Sequence, residues 1–283
     1  MSYDISSDKF QHPLLKPILD SLTEYFKSVD VYFYVIGATA RDIAMNIHDE
    51  KTGRATRDLD IAIAISNWDE YKTIEKGIVN IDGFEKDSSQ KQRFIFRKEF
   101  ELDIVPFGDI KKEDDKIFWP PDESVAMSVI GLDEVSKYAM KIKVDDGISI
   151  NVASLEGVFL LKIVAWSDRN YKTKKDADDI AFILTNYLNI HDRRAGVEYY
   201  DFIYDDEDFS PNAGGAKLLG IDIAKLLKSA PQSKDNILTI IKEEINRAEE
   251  SVLINQIIET NKSFKYDETY RCLKYFVEGL EKE

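Results

Sequence analysis

The segment Thr56-Arg57-Asp58-Leu59-Asp60-Ile61-Ala62-Ile63-Ala64-Ile65 constrains this chain more than any other. From Leu59 onward it alternates as a strand, with Leu59, Ile61, Ile63 and Ile65 on one face and Asp60, Ala62 and Ala64 on the other. The same alternation sets Asp58 and Asp60 side by side at the strand's entrance. Two carboxylates held together repel each other and lose water, which costs free energy unless a cation sits between them. Hard oxygen ligands at this spacing suit Mg²⁺, which keeps several waters and takes a few carboxylates together with substrate phosphates. Ala62 and Ala64 are small and are expected to leave that face open beside the pair. The stretch therefore reads as a metal-nucleotide site.

The surrounding chain is expected to build a sheet around this strand. Residues 13–28 carry a helical apolar stripe of Leu15, Ile18, Leu19, Leu22, Tyr25 and Phe26. The β-branched and aromatic run Val31-Tyr32-Phe33-Tyr34-Val35-Ile36 reads as a buried strand. Gly37 ends it, and Ala38 to Ile47 reads as a helix. Strand, glycine turn and helix N-terminus together make an anion site, because free backbone N–H groups and the helix dipole point to one spot. After a polar loop from His48 to Arg57 and the Asp-bearing strand, a helix is predicted from Asn67 to Lys76. Arg93-Phe94-Ile95-Phe96-Arg97 and Phe100-Glu101-Leu102-Asp103-Ile104-Val105-Pro106 read as antiparallel strands across a short charged turn. In the second, Asp103 shares a face with Glu101 and Val105, while Leu102 and Ile104 face the core. Residues 107–123 are charged, carry Trp119-Pro120-Pro121, and are expected to form a surface excursion. Lys137 to Val144 and Ile148 to Val152 are expected to pair as a hairpin across Asp145-Asp146-Gly147.

From Ser154 the pattern becomes helix after helix, with Ser154 a good N-cap. Helices are predicted over 154–168, 174–188, 214–228, 231–248 and 266–281, and Asp205-Asp206-Glu207-Asp208 is expected to be a solvated loop. The fold class expected is α+β, with a mixed-sheet domain over residues 1–150 followed by an all-helical domain over 151–283. At 283 residues, 43% hydrophobic and 32% charged, the chain can bury two modest cores.

Composition removes several classes of function. Cys272 is the sole cysteine, which excludes an internal disulfide and a cysteine-based zinc site. His12, His48 and His191 are scattered and offer little to histidine-based metal or triad chemistry. No stretch approaches the ~20 apolar residues that span a bilayer, so no membrane role is expected. Met1-Ser2-Tyr3-Asp4 lacks a basic region followed by an apolar run, and a cytoplasmic location is expected. A net charge of −15 is opposite to that of non-specific nucleic-acid binders, so a polynucleotide substrate would need a local basic patch.

Asp58, Asp60 and Asp103 on strands of one sheet, beside a glycine turn at a helix N-terminus, form a set suited to two-metal phosphoryl transfer. In that chemistry Asp58 and Asp60 would bridge two Mg²⁺ ions, and Asp103 would complete the second ion's shell or accept the hydroxyl proton. The order Gly37-Ala38-Thr39-Ala40-Arg41-Asp42, Asp58-Leu59-Asp60 and Leu102-Asp103-Ile104 resembles the polymerase-β-like nucleotidyltransferase superfamily. The Gly-x-x-x-Arg-Asp form is similar to the tRNA CCA-adding and poly(A) polymerase branch. Thr39, Lys162-Ile163-Val164-Ala165-Trp166-Ser167-Asp168-Arg169 and Lys175-Asp176-Ala177-Asp178-Asp179 look more like the bacterial abortive-infection and type IV toxin nucleotidyltransferases. The resemblance touches roughly residues 31–185. It implies a nucleotidyltransferase domain, an NTP substrate held at Gly37, Ala38, Thr39 and Arg41, and transfer of an NMP to a hydroxyl of a tRNA end, a protein or a small molecule. A cognate antitoxin is a family-level expectation, and a catalytically inactive nucleotide-binding module is the alternative.

One departure from the family pattern bears on that alternative. Where the family carries Gly or Ser after the first glycine this chain has Ala38, which has no hydroxyl to offer a triphosphate. Backbone N–H groups and the Thr39 hydroxyl remain. Lys162 and Arg169 are seven residues apart, close to two helical turns, and lie within ~20° on one helical face. Turned toward the aspartates they would meet a nucleotide's phosphates; on an ordinary amphipathic helix they would face solvent. Arg41 and Arg57 flank the site, and for Arg41 a salt bridge to Asp42 competes with phosphate contact. Asp179 reads as a helix N-terminal acid, with Lys175 and Asp176 left open. Trp119 and Trp166 are more readily core residues than base-stacking ones.

Overall fold

The computed structural model describes residues 2–112 and 115–282. The chain divides into two compact units, the first ending at Ser154 and the second beginning at Leu155. The first contains, in order, β1 (Ser2–Ile5), α1 (Leu15–Ser28), β2 (Phe33–Ile36), α2 (Gly37–Ile47), β3 (Asp58–Ala64) and α3 (Trp68–Val79). There follow β4 (Phe84–Lys86), β5 (Arg93–Phe96), β6 (Phe100–Phe107), β7 (Lys116–Trp119), β8 (Val125–Ser128), α4 (Leu132–Lys137), β9 (Met140–Val144) and β10 (Ser149–Val152). Eight strands form one mixed sheet in the order β1-β9-β10-β2-β3-β6-β5-β4, and β7 and β8 form a separate hairpin.

The Asp-bearing strand lies inside this sheet, antiparallel to β2 and parallel to β6. Its Leu59, Ile61 and Ile63 are fully buried. Burial of such side chains contributes about 1.5–3 kcal/mol each, so β3 is a stiff base able to carry adjacent acids at its entrance. Asn67 caps α3 by accepting from the backbone N–H groups of Asp69 and Glu70. In α2 every residue from Gly37 to Met45 is buried, as expected of a helix enclosed on all sides.

Four expectations change. Ala62 is fully buried, so openness on its face is confined to the Asp58–Asp60 end. The stretch read as a surface excursion includes β7, which pairs with β8, and Trp119 is buried with its ring 5.0 Å from Trp68 and 5.4 Å from Tyr71. Charged neighbours masked the alternation of Ile117 and Trp119, both buried, with Phe118, half-buried. β1, β4 and α4 were too short to show a period. Ser154 does not cap with its side chain; its buried hydroxyl has no hydrogen-bond partner among the described residues.

The second unit is helical: α5 (Leu155–Arg169), α6 (Lys175–Glu198), α7 (Tyr200–Tyr204), α8 (Pro211–Leu226), α9 (Pro231–Asn246), α10 (Val252–Thr260) and α11 (Tyr266–Glu281). Helix α6 runs ten residues beyond its predicted end at 188, and α7 and α10 were not foreseen. Helices α8 and α11 approach backbone to backbone: a Cβ on Gly220 would lie 2.3 Å from the Phe276 carbonyl oxygen. The acidic run at 205–208 is not wholly solvated, since Asp206 holds the buried Lys217 at 2.8 Å. Among the described residues no helix is long and apolar enough to cross a membrane.

Candidate active site

The parallel pairing of β3 with β6 sets Asp58 opposite Glu101 and Asp60 opposite Asp103. Opposed residues on neighbouring strands point to the same side, so Asp58, Asp60 and Asp103 share one face at one end of the sheet. The pairing of β2 with β3 sets Ile36 opposite Asp60 and brings Gly37, the first residue of α2, against it. Gly37 has φ +69°, which lets the chain turn sharply from strand to helix. A Cβ there would lie 2.1 Å from Asp60 Oδ2. The Asp60 carboxylate thus rests on the bare Cα of Gly37, at the end of α2 where the backbone N–H groups point outward.

Neighbouring side chains hold the Asp58 and Asp103 carboxylates. The Thr56 hydroxyl donates to Asp58 Oδ1. The Thr39 hydroxyl donates to the Asp58 carbonyl oxygen at 3.1 Å, fastening the first turn of α2 to β3. Arg93 lies directly opposite Asp103 in the β5–β6 pairing and grips it with two bonds, Nε to Oδ1 and Nη2 to Oδ2, both 2.8 Å. A third contact runs from Arg93 Nη1 to Glu101 Oε2 at 2.5 Å. The hydrogen bonds to Asp103 raise the guanidinium's pKa above its ordinary value against an opposing effect of burial, and the charges of Glu101 and Asp58 add to the rise.

In kind, the donor set suits a divalent cation. Three carboxylates offer hard oxygens on one face, and the missing Cβ of Gly37 lets the Asp60 carboxylate approach the start of α2. As they stand the three are not drawn to one point: among the described residues no three His, Cys, Asp or Glu side chains are gathered as metal ligands. Arg93, rather than the other two aspartates, is the near partner of Asp103.

The remaining residues of the sequence reading lie as follows. Ala38 is buried. Arg41 is 1% exposed, bonded to Asp42 at 2.9 Å and to the Arg54 carbonyl at 3.3 Å. Of its two expected roles, the salt bridge is the one visible; the hydrogen bond to the Arg54 carbonyl ties α2 to the loop preceding β3. Lys162 and Arg169 belong to the helical unit. Lys162 Nζ lies 3.1 Å from Asp176 Oδ1 and 2.7 Å from Asp179 Oδ2, the second an ion contact without hydrogen-bond alignment. Arg169 grips both oxygens of Asp176, at 2.7 and 2.8 Å. Asp179, read from sequence as a bland helix-end acid, is fully buried within this network. Trp119 and Trp166 are both core residues.

Arg93, Thr56 and Glu101 escaped the sequence reading as site residues. A signal existed for Arg93: once Phe96 is paired with Phe100 across the turn at 97–99, stepwise pairing carries Arg93 to Asp103. Gly37→Ala is the sharpest local test of the geometry. A methyl there must displace the Asp60 carboxylate, and the positive φ adds about 1–2 kcal/mol of backbone strain. A folded variant with lowered melting temperature and lost Mg-NTP binding by calorimetry is expected.

A strand, glycine turn and buried helix are followed by an Asp-x-Asp strand and a third aspartate in register with it. Residues 22–236 match the family described as "Nucleotidyl transferase AbiEii toxin, Type IV TA system". The chain belongs to that family. Among curated proteins none matches it significantly. Solved structures similar to it include an antigenic nucleotidyltransferase-like protein from Paracoccidioides brasiliensis, 13% identical, covering 82% of this chain and 94% of that one with a TM-score of 0.40. A Thermotoga maritima CCA-adding enzyme complexed with tRNA is also 13% identical, covering 96% and 82% at a TM-score of 0.25. A CCA-adding enzyme complexed with CTP is 12% identical, covering 95% and 80% at 0.26.

Proposed function

We propose that this protein is a Mg²⁺-dependent nucleotidyltransferase that moves an NMP from an NTP to a hydroxyl acceptor and releases pyrophosphate. The observation that carries this reading is the register of β3 with β6, which sets Asp58 and Asp60 on the same face as Asp103, with Asp60 lying against Gly37. In this reading Asp58 and Asp60 would hold two ions, and Asp103 would complete the second ion's shell or take the acceptor's proton. The bound ions supply charge neutralisation on the transferring phosphoryl group and a more nucleophilic acceptor oxygen. The backbone N–H groups of Gly37, Ala38 and Thr39 receive the triphosphate, where oriented donors cost little reorganisation. Lys162 and Arg169 are proposed as nucleotide-binding residues on the strength of the family motif, with Asp176 setting their geometry.

The acceptor is a tRNA end, a protein or a small molecule; the family's description supports a cognate antitoxin as a partner, a role in abortive infection follows from the same resemblance, and a cytoplasmic location is proposed from the N-terminal sequence. The test is transfer of label from α-³²P-NTP, set beside γ-labelled NTP, into RNA, protein and small-molecule fractions. Label from the α position alone, with pyrophosphate released, is the expected result. Absence of transfer despite Mg-NTP binding would favour an inactive nucleotide-binding module. One observation lends that second reading weight: Ala38 has no hydroxyl, and the Thr39 hydroxyl is donated to the Asp58 carbonyl.

A further inference from the structure

We propose that Arg93 is a latch on Asp103, holding the third carboxylate closed until a divalent cation displaces it onto Glu101. The inference rests on the functional reading above and adds a control on how the site loads. Its basis is that Arg93 has two seats side by side. One is Asp103, 14% exposed and bound through the guanidinium fork; the other is Glu101, two residues earlier on the same face of β6, 41% exposed and bound through Nη1. Both bonds to Asp103 are charge-assisted and parallel, the strong form of the arginine–carboxylate contact.

The fork takes up both oxygens of the acid that the second cation requires. A carboxylate oxygen retains a further lone pair beside an N–H donor, so the obstacle is not lone-pair supply. It is charge: a guanidinium and a divalent ion on one carboxylate repel strongly in a partly desolvated site. The cation and Arg93 therefore compete for Asp103. Glu101 resolves the competition by keeping a seat for the displaced arginine, so that release does not strand a half-buried guanidinium. Two ligands competing for one group are negatively coupled, and such couplings commonly amount to 5- to 150-fold in affinity.

The two seats predict mutational effects of opposite sign. Arg93→Gln removes the latch, and the second Mn²⁺ ion is expected to bind about tenfold more tightly in the presence of a non-hydrolysable α,β-methylene NTP. Glu101→Gln removes the alternative seat and is expected to weaken the same ion severalfold. Loss of one negative charge would itself weaken cation binding, so the double variant decides. With Arg93→Gln already in place, the Glu101→Gln effect should shrink toward that of the charge alone. Asp103→Asn should abolish the gain from Arg93→Gln. Mn²⁺ affinity is read by electron paramagnetic resonance, and thermal unfolding reports whether β5 and β6 remain paired.

An unchanged or weaker second ion in a folded Arg93→Gln protein would overturn the latch, as would an equal Glu101→Gln effect in both backgrounds. Should Arg93→Gln fail to fold, Arg93→Lys keeps the charge without the fork. It is expected to tighten the ion a fewfold, and no change would overturn the proposal equally. Failure of the functional reading looks different: wild-type protein would then show no Mn²⁺-NTP binding sensitive to Asp60→Asn.

Discussion

Asp60→Asn is expected to lower NMP transfer by at least about a hundredfold while leaving the protein folded and slightly more stable without ligand. Two independent features of the site lead to this result. In the proposed mechanism Asp60 would help hold the ions, so its loss would weaken the stabilisation that they supply to the attacking and leaving oxygens. Each factor of ten in rate corresponds to about 1.36 kcal/mol of barrier, and loss of a charged metal ligand exceeds two such factors. The stability gain follows from relief of repulsion, because Asp58 and Asp60 share a face of β3 and Asp103 lies opposite Asp60. Asparagine keeps the shape against Gly37 and removes the charge. The measurement pairs initial rates of α-label transfer at saturating Mg²⁺ with thermal unfolding in chelator. Full activity in a variant that no longer binds the second ion would remove Asp60 from the chemistry.

Asp58→Asn should resemble it in rate, and weakening of the hydrogen bond from the Thr56 hydroxyl should offset part of any gain in stability.

The site was legible in sequence to the extent that it depends on alternation and order. Strand alternation placed Asp58 beside Asp60, and an apolar run ending at Gly37 placed a helix N-terminus before them. The register that brings Asp103 opposite Asp60 is a pairing between strands separated by α3, β4 and β5, which local periodicity does not encode. Arg93 was hidden for the related reason that its meaning lies in what faces it. Hydrophobic periodicity found the long helices and missed shorter elements such as α4 and α10, where one to two and a half turns hold too few apolar positions to mark a stripe. Lys162 and Arg169 illustrate a further gap: helical spacing shows that they share a face, but not that two buried acids wait there.

That network sets up the second large effect. Lys162→Met is expected to destabilise the helical unit by about 3–5 kcal/mol, the cost of removing one partner from a buried ion cluster. Asp176 and Asp179 are both fully buried, one helical turn apart, and Lys162 is the buried cation touching both. Arg169, which binds Asp176, is half exposed and compensates less. Methionine fills similar volume, so the loss reports charge rather than a cavity. For a unit of this size the melting temperature should fall on the order of 10 °C.

The pH dependence should also change. In the wild type, burial opposes the charge on Asp176, but the hydrogen bond from Arg169 and the nearby cations prevail and lower its pKa below the ordinary carboxylate value. The unfolded chain then binds more protons than the folded one in acid, so this contribution to stability is present above the unfolded pKa and is lost as pH falls through the folded one. Without Lys162, the two buried carboxylates repel each other and the folded state takes up a proton first. Stability of Lys162→Met should accordingly fall less with acidification than that of the wild type, whose Asp176 contribution is lost as pH drops below the ordinary carboxylate range. Urea unfolding across that range, followed by circular dichroism, makes the comparison. Parallel pH profiles for the two proteins would mean that Lys162 does not neutralise the buried pair.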